Sequence, residues 1–269
     1  MEAYALGVSH AVLFYITETS WWVLLAQGVT LFISYVALNA LELLIETRFI
    51  SRHNMSFSSF ADSTSSILIA GDSTAVGTGA TDPKHTVAGL LSRDFPHTGI
   101  VNVARNGSCV KSVVNQLECV GDNTFNIIII STGGNDVWAL TQLKKLRTDL
   151  CTVLNKAKQM SNHRVVLLFF GNEGSAPFFP FLIRGLLMRR TEQVKDLFKK
   201  VAHDEQVPLL ELFSDPKQNP FVKDPKRMFA RDGLHPSDAG YWEWYKHLWR
   251  LMSERGYHYK EESHLRYHP

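Results

Sequence analysis

The sequence predicts an α/β fold: a three-layer α/β/α sandwich around a central, mostly parallel, five-stranded sheet, with an N-terminal transmembrane helix added. Three observations predict it. From Ile67 onward, five short runs rich in Ile, Val and Leu alternate with amphipathic segments, the signature of a doubly wound parallel sheet. The conspicuous polar residues cluster just after those runs, where such folds place their ligands. Ahead of all this, no charged residue occurs between Thr19 and Leu41.

Composition sets the outer limits. The 269 residues, 45% of them hydrophobic, fit one domain of roughly 200 residues plus an appendage. A net charge of +2 lacks the clustered Lys and Arg of a nucleic-acid binder, so no nucleic-acid partner is expected. No obligate protein partner is evident and no repeat is present. Three cysteines, Cys109, Cys119 and Cys151, are too few for a disulfide framework. Cys109 and Cys119 could pair, but buried free thiols are the expectation.

Residues 1–53 read as a membrane-anchoring segment with its span at about 19–41. A helix of that length crosses a hydrocarbon core of about 30 Å. Trp21 and Trp22 suit a membrane–water interface. A second uncharged run, Ala3 to Thr17, is short for a span and is separated by Glu18. No Lys or Arg precedes the apolar stretch, which argues against a cleaved signal peptide. A buried core helix is the alternative. Glu2 and Glu18 lie before the span while Arg48 and Arg52 follow it, which predicts a cytoplasmic C-terminal domain. Residues 54–66 are serine-rich and read as a linker. Asp62-Ser63-Thr64 within it repeats a later Asp-Ser-Thr but has no leading strand and no glycines, so it carries no function.

The main domain, 67–255, follows in order. "ILIAG", "GIVNVA", "NIIIIST", "RVVLLFFG" and "VPLLELF" are the five strands. Helices are expected at about Val87 to Phe95, Val110 to Cys119, Leu140 to Met160 and Gly185 to Asp204. A last helix, N-capped by Ser237, runs towards Glu254. Residues 256–269 form a polar tail.

Four polar segments sit where the chemistry should be. Ser73 follows the first strand, Gly107 the second and Asn135 the third; Asp232 and His235 precede the last helix. A serine hydroxyl is a weak nucleophile until a base takes its proton, and His235 can do so. Asp232, three residues earlier in "RDGLHPSDAG", can fold back through a Gly-containing turn to orient the imidazole and stabilise its charged form. Pro236 biases His235 towards an extended backbone. The N–H groups of Ser73 and Gly107 and the side-chain amide of Asn135 can supply donors to a tetrahedral oxyanion. A side chain at position 107 would crowd the substrate. Gly77-Thr78-Gly79 lacks the spacing and downstream acid of a dinucleotide loop. His85, His97, His163, His203 and His247 have no ligand spacing, and neither metal nor cofactor is expected.

Taken in order, "GDSTAVGTG", "ARNG", "GGND" and "DGLHP" resemble the four blocks of the SGNH/GDSL hydrolase family, from about Ile67 to Met252. The resemblance implies a Ser73–His235–Asp232 triad, with Ser73, Gly107 and Asn135 as the oxyanion hole. Thr74 stands where the name-giving motif has leucine, without touching a catalytic atom. The resemblance implies a serine carboxylic-ester hydrolase acting on acyl esters through an acyl-enzyme.

It does not choose the substrate. The reading from the sequence is a membrane-anchored esterase acting on lipid or lysophospholipid-type esters, with membrane lipid as a partner. A tethered carbohydrate O-deacetylase or acyl thioesterase is the alternative, and a non-catalytic membrane-anchored binding protein a third. "SAPFFPFLIRGLLMRR", Ser175 to Arg190, reads either as a connection packed on the core or as an interfacial segment whose arginines meet headgroups.

Overall fold

The structure is a computed structural model that describes residues 20–35, 37–38, 41, 45, 47–50, 56–59, 65–162, 164–170, 176–212 and 218–257. The uncharged run 3–17, the Asp62-Ser63-Thr64 repeat, His163, Ser175 and the tail beyond Tyr257 lie outside the described residues.

Five strands form one parallel sheet: β1 (Ser65–Gly71), β2 (Thr98–Asn102), β3 (Ile127–Ser131), β4 (Val165–Phe169) and β5 (Leu209–Glu211), in the order β2-β1-β3-β4-β5. Every residue of β3 and β4 is buried, which requires cover on both faces of the sheet. Helices provide it. α3 (Val87–Asp94) packs on α10 (Asp238–Glu254). α4 (Val110–Glu118) packs on α6 (Leu143–Met160), and α6 on α7 (Phe181–Asp204).

The sequence order reverses at β1. The chain passes from β1 outward to β2, then returns across β1 to β3 on its other side. Loops leaving neighbouring strands diverge at such a switch point and leave a crevice between them. Gly71 and Ser131, the last residues of β1 and β3, are register partners there, so the loops that follow them start side by side.

Short elements complete the rim. α2 (Ser73–Val76) begins two residues past β1, and α5 (Gly134–Trp138) begins three past β3. α8 (Pro220–Lys223) and α9 (Pro225–Met228), two single turns started by proline, lead into the segment before α10.

Several boundaries differ from the sequence reading. Asn135, just past the third strand, lies inside α5. Leu140 leaves the helical pattern with φ 49°, so α6 starts at Leu143. α7 starts at Phe181 rather than Gly185. β1 takes Ser65 and Ser66 from the serine-rich run, and Ser59 forms an antiparallel bridge with Ile100. That run is therefore partly attached to the sheet. All three cysteines are free, but none is buried as expected: Cys109 and Cys151 are partly exposed, and Cys119 is exposed just past the end of α4.

The chain divides into two units, Met1–Ile45 and Glu46–Pro269. In the first, α1 (residues 20–35) leaves Trp21, Trp22, Leu24, Leu25, Phe32 and Ile33 more than half exposed. Among the described residues no helix is long and apolar enough to cross a membrane. Residues 19, 36, 39 and 40 of the expected span lie outside them.

Candidate active site

Ser73 opens α2 immediately beyond β1. Asp72 caps this helix: its Oδ1 accepts from Thr74 N at 2.9 Å and from Thr74 Oγ1 at 2.6 Å. Thr74 Oγ1 also lies 2.8 Å from Ser131 Oγ, tying the Ser73 turn to the end of β3. A leucine at position 74 has no hydroxyl for either contact. Burial pushes the Asp72 carboxyl up to about 6, against the Thr74 hydrogen bonds and the nearby His235, which pull it down.

The loop before α10 carries Asp232 and His235. Phe229 bridges Pro236, and Ala230 N donates to His235 O at 2.8 Å, closing a narrow loop around Asp232. Asp232 Oδ1 accepts from the N–H groups of Leu234 and His235 at 3.0 and 3.1 Å. Its Oδ2 lies 2.6 Å from His235 Nδ1. Burial opposes ionisation of this carboxyl, but the hydrogen bond and charge of His235, with the two N–H groups, hold it below its usual range. An ionised Asp232 fixes the proton on Nδ1, so Nε2 is free to accept. Ser73 Oγ lies 3.0 Å from it. Ser73, His235 and Asp232 thus form one hydrogen-bonded line, although 162 residues separate serine from histidine.

The last glycine of "GDSTAVGTG" has a structural reason. Gly79 has φ 101°, and a Cβ there would lie 2.4 Å from Pro236 O and 2.8 Å from His235 Cβ. The loop after Ser73 lies directly against the histidine loop, and only glycine fits. Tyr241, from α10, donates from its hydroxyl to Thr78 O at 2.8 Å and holds the same contact from behind.

Gly107 lies in the loop after β2 with φ 74°, and a Cβ at this position would meet nothing within 4 Å. The backbone angle, rather than crowding by the protein, favours glycine. Asn135 lies in α5, entered through Gly133 at φ 116°. Its Nδ2 donates to Ser108 O at 3.0 Å, which leaves the second amide hydrogen for another acceptor. Among the described residues, the N–H groups of Ser73 and Gly107 make no other hydrogen bond. Asp136, fully buried beside Asn135, accepts from Val110 N and from Thr141 Oγ1, both at 2.8 Å, and so joins α5 to the start of α4. Burial raises its carboxyl despite both bonds.

Segment 176–190 combines features of both sequence readings. Phe178 N donates to Gly233 O at 3.0 Å, and Ala176, Phe179 and Leu187 are buried. Trp138, one helical turn beyond Asn135, packs its ring 4.2 Å from Phe179 and 5.6 Å from Phe178. Ile183, Leu186 and Met188 are exposed on α7. Arg184 donates to Phe179 O and Pro177 O, and Arg190 to Thr141 O, so two arginines of this stretch are engaged by the protein itself.

Sequence reasoning missed Gln116, Ser108 and Asp136. Gln116 carried a signal: it is polar on the face of α4 that buries Val110, Val113 and Leu117. His85, one of the histidines without ligand spacing, places Nδ1 2.9 Å from Asp238 Oδ2.

The model of the GDSL-like Lipase/Acylhydrolase family matches residues 69–243. No curated protein matches the chain. Solved structures share the fold at low identity. A lipase/acylhydrolase from Enterococcus faecalis is 18% identical with a TM-score of 0.55, over 71% of this chain and 97% of its own. The psychrotrophic esterase EstA from Pseudoalteromonas sp., solved inhibited by monoethylphosphonate, is 17% identical with a TM-score of 0.56, over 72% and 99%. The acetyl xylan esterase AlAXEase is 17% identical with a TM-score of 0.55, over 69% and 98%.

Proposed function

The chain belongs to the GDSL-like lipase/acylhydrolase family, and from that premise we propose that it hydrolyses carboxylic esters with Ser73 as nucleophile, His235 as base and Asp232 as the group that orients it. The 3.0 Å approach of Ser73 Oγ to His235 Nε2, with Nδ1 held by Asp232, carries this reading.

The reaction follows from the geometry. Ser73 Oγ attacks the ester carbonyl as His235 Nε2 takes its proton, and Asp232 stabilises the imidazolium. The oxygen that becomes negative is received by the N–H of Ser73, the N–H of Gly107 and the free hydrogen of Asn135 Nδ2. His235 returns the proton to the leaving alcohol as the intermediate collapses to an acyl-enzyme. Water, deprotonated by the same nitrogen, then releases the acid and restores Ser73.

The preferred substrate in this reading is an acyl ester of lipid or lysophospholipid type. The exposed apolar residues of α1 and the exposed Ile183, Leu186 and Met188 beside the Phe178 loop support it. The membrane segment anchors the enzyme, and Arg48 and Arg52 keep the hydrolase unit on the cytoplasmic side. The likeness to an acetyl xylan esterase supports a second reading, removal of acetyl groups from carbohydrate.

A fluorophosphonate probe and a panel of p-nitrophenyl esters of graded acyl length test both. The protein is expected to form a covalent adduct at Ser73 and to favour medium or long acyl chains. No adduct would overturn the mechanism. A preference confined to acetate would select the deacetylase.

A further inference from the structure

We propose that Gln116 is a positioning residue for the oxyanion hole, an inference that rests on the esterase reading above. One buried amide touches all the parts that must agree. Gln116 Oε1 accepts from Gly71 N at 2.7 Å, and Nε2 donates to Gly71 O at 2.8 Å. Gly71 stands two residues before Ser73. The same Nε2 donates to Ser108 Oγ at 2.9 Å, one residue after Gly107. Ser108 O in turn accepts from Asn135 Nδ2. The N–H of Ser73, the N–H of Gly107 and the amide of Asn135 therefore share a single reference point.

The topology explains why a side chain is needed there. β2 pairs with β1 only as far as Asn102 opposite Ile69; beyond it Arg105 N still donates to Gly71 O at 3.2 Å, but Gly71 N has no strand acceptor on that side. Gln116 Oε1 supplies that acceptor, and its Nε2 adds a second donor to Gly71 O, so one side-chain amide completes the end of the ladder. It is 2% exposed and Ser108 is 8% exposed, so water does not compete for these bonds. Oxyanion donors act through preorganisation, and a donor that can drift by a fraction of an ångström loses part of its effect. Gln116 touches no substrate atom. It acts by holding Ser108, whose carbonyl aims Asn135.

The test uses the full chain with a short, water-soluble p-nitrophenyl ester. Gln116→Leu removes both ends of the amide at similar volume. We expect kcat to fall about 10- to 100-fold, less than loss of a donor itself, with KM nearly unchanged. In an Asn135→Ala background most of that fall should disappear, because the amide being aimed is gone. A general loss of folding would lower both backgrounds by the same factor, and that result would overturn the proposal. Should Gln116→Leu fail to fold, Ser108→Ala decides: it cuts only the Gln116–Ser108 bond and leaves the Gly71 clamp whole. Its kcat should fall about tenfold, again only when Asn135 is present. An unchanged kcat in Ser108→Ala, with wild-type hydrolysis still dependent on Ser73, overturns this inference alone. Wild-type hydrolysis that does not need Ser73 overturns the esterase mechanism and this inference together.

Discussion

Oδ2 of Asp232 lies 2.6 Å from Nδ1 of His235, three residues later in the chain, while Oδ1 is held by two backbone N–H groups of the same turn. The carboxylate is thereby fixed at both oxygens before it orients the imidazole. Asp232→Asn removes the charge but not the shape. Turnover should fall by about 10³–10⁴-fold, because the amide leaves the imidazole in the wrong tautomer. Stability should respond to pH as well. The folded carboxyl titrates below its ordinary value, so its contribution is complete above the unfolded pKa and is lost as pH falls through the lower folded value. Urea midpoints between pH 2 and pH 6 should therefore show a steeper acid decline in wild type than in Asp232→Asn.

Ser73→Ala and His235→Ala should each abolish ester hydrolysis while circular dichroism and melting temperature stay close to wild type. Asn135→Ala should retain the triad and lose about 10²–10³ in kcat, the usual effect of one missing oxyanion donor. Retention of most activity in any of the three would assign the chemistry elsewhere.

Asp72 titrates in the opposite sense to Asp232. Its folded carboxyl is pushed up to about 6 by burial, so the folded state holds a proton that the unfolded chain has already lost. Stability from this group is complete below the unfolded pKa and declines as pH rises through about 6. A shift of about two units corresponds to at most roughly 3 kcal/mol. Asp72→Asn, which keeps an oxygen for Thr74, should gain on wild type between pH 4 and pH 7.5. Parallel pH profiles of the two unfolding free energies would rule this out.

Gly79→Ala places a methyl group where Pro236 O and His235 Cβ already stand, on a backbone at φ 101°. The loop must shift, and His235 with it. Stability should drop by about 1–3 kcal/mol, and kcat should fall alongside it. Wild-type turnover in Gly79→Ala would show that the contact does not position the histidine.

Removal of residues 1–55 should give a folded hydrolase unit. Ser59 keeps its bridge to Ile100, Ser58 Oγ still accepts from Asn102 N, and every candidate site residue lies later. Turnover on a short soluble ester should be unchanged. If the N-terminal segment anchors the enzyme as proposed, activity on a long-chain ester in vesicles should fall, because a tether raises the effective concentration at lipid. Aggregation of the truncated protein would mean that the N-terminal unit is needed for folding.

Local pattern determined much of this protein. Runs such as "IIII" and "VVLLFF" are apolar at every position, which only a strand covered on both faces tolerates, so the parallel sheet was legible before any pairing was known. Ser73, Gly107, Asn135, Asp232 and His235 stood out because each lies just past a strand or just before the last helix, where a buried-sheet fold exposes its polar groups. Tertiary structure decided what depends on residues far apart in sequence. No local rule says that Gln116 must meet Gly71, 45 residues earlier, because that need arises only when β2 stops pairing with β1. Nor does a Gly-Thr-Gly turn reveal that Gly79 will lie against His235. The conformational freedom of a glycine is written in the chain, but the atom that forbids a side chain arrives only when two distant loops close on each other.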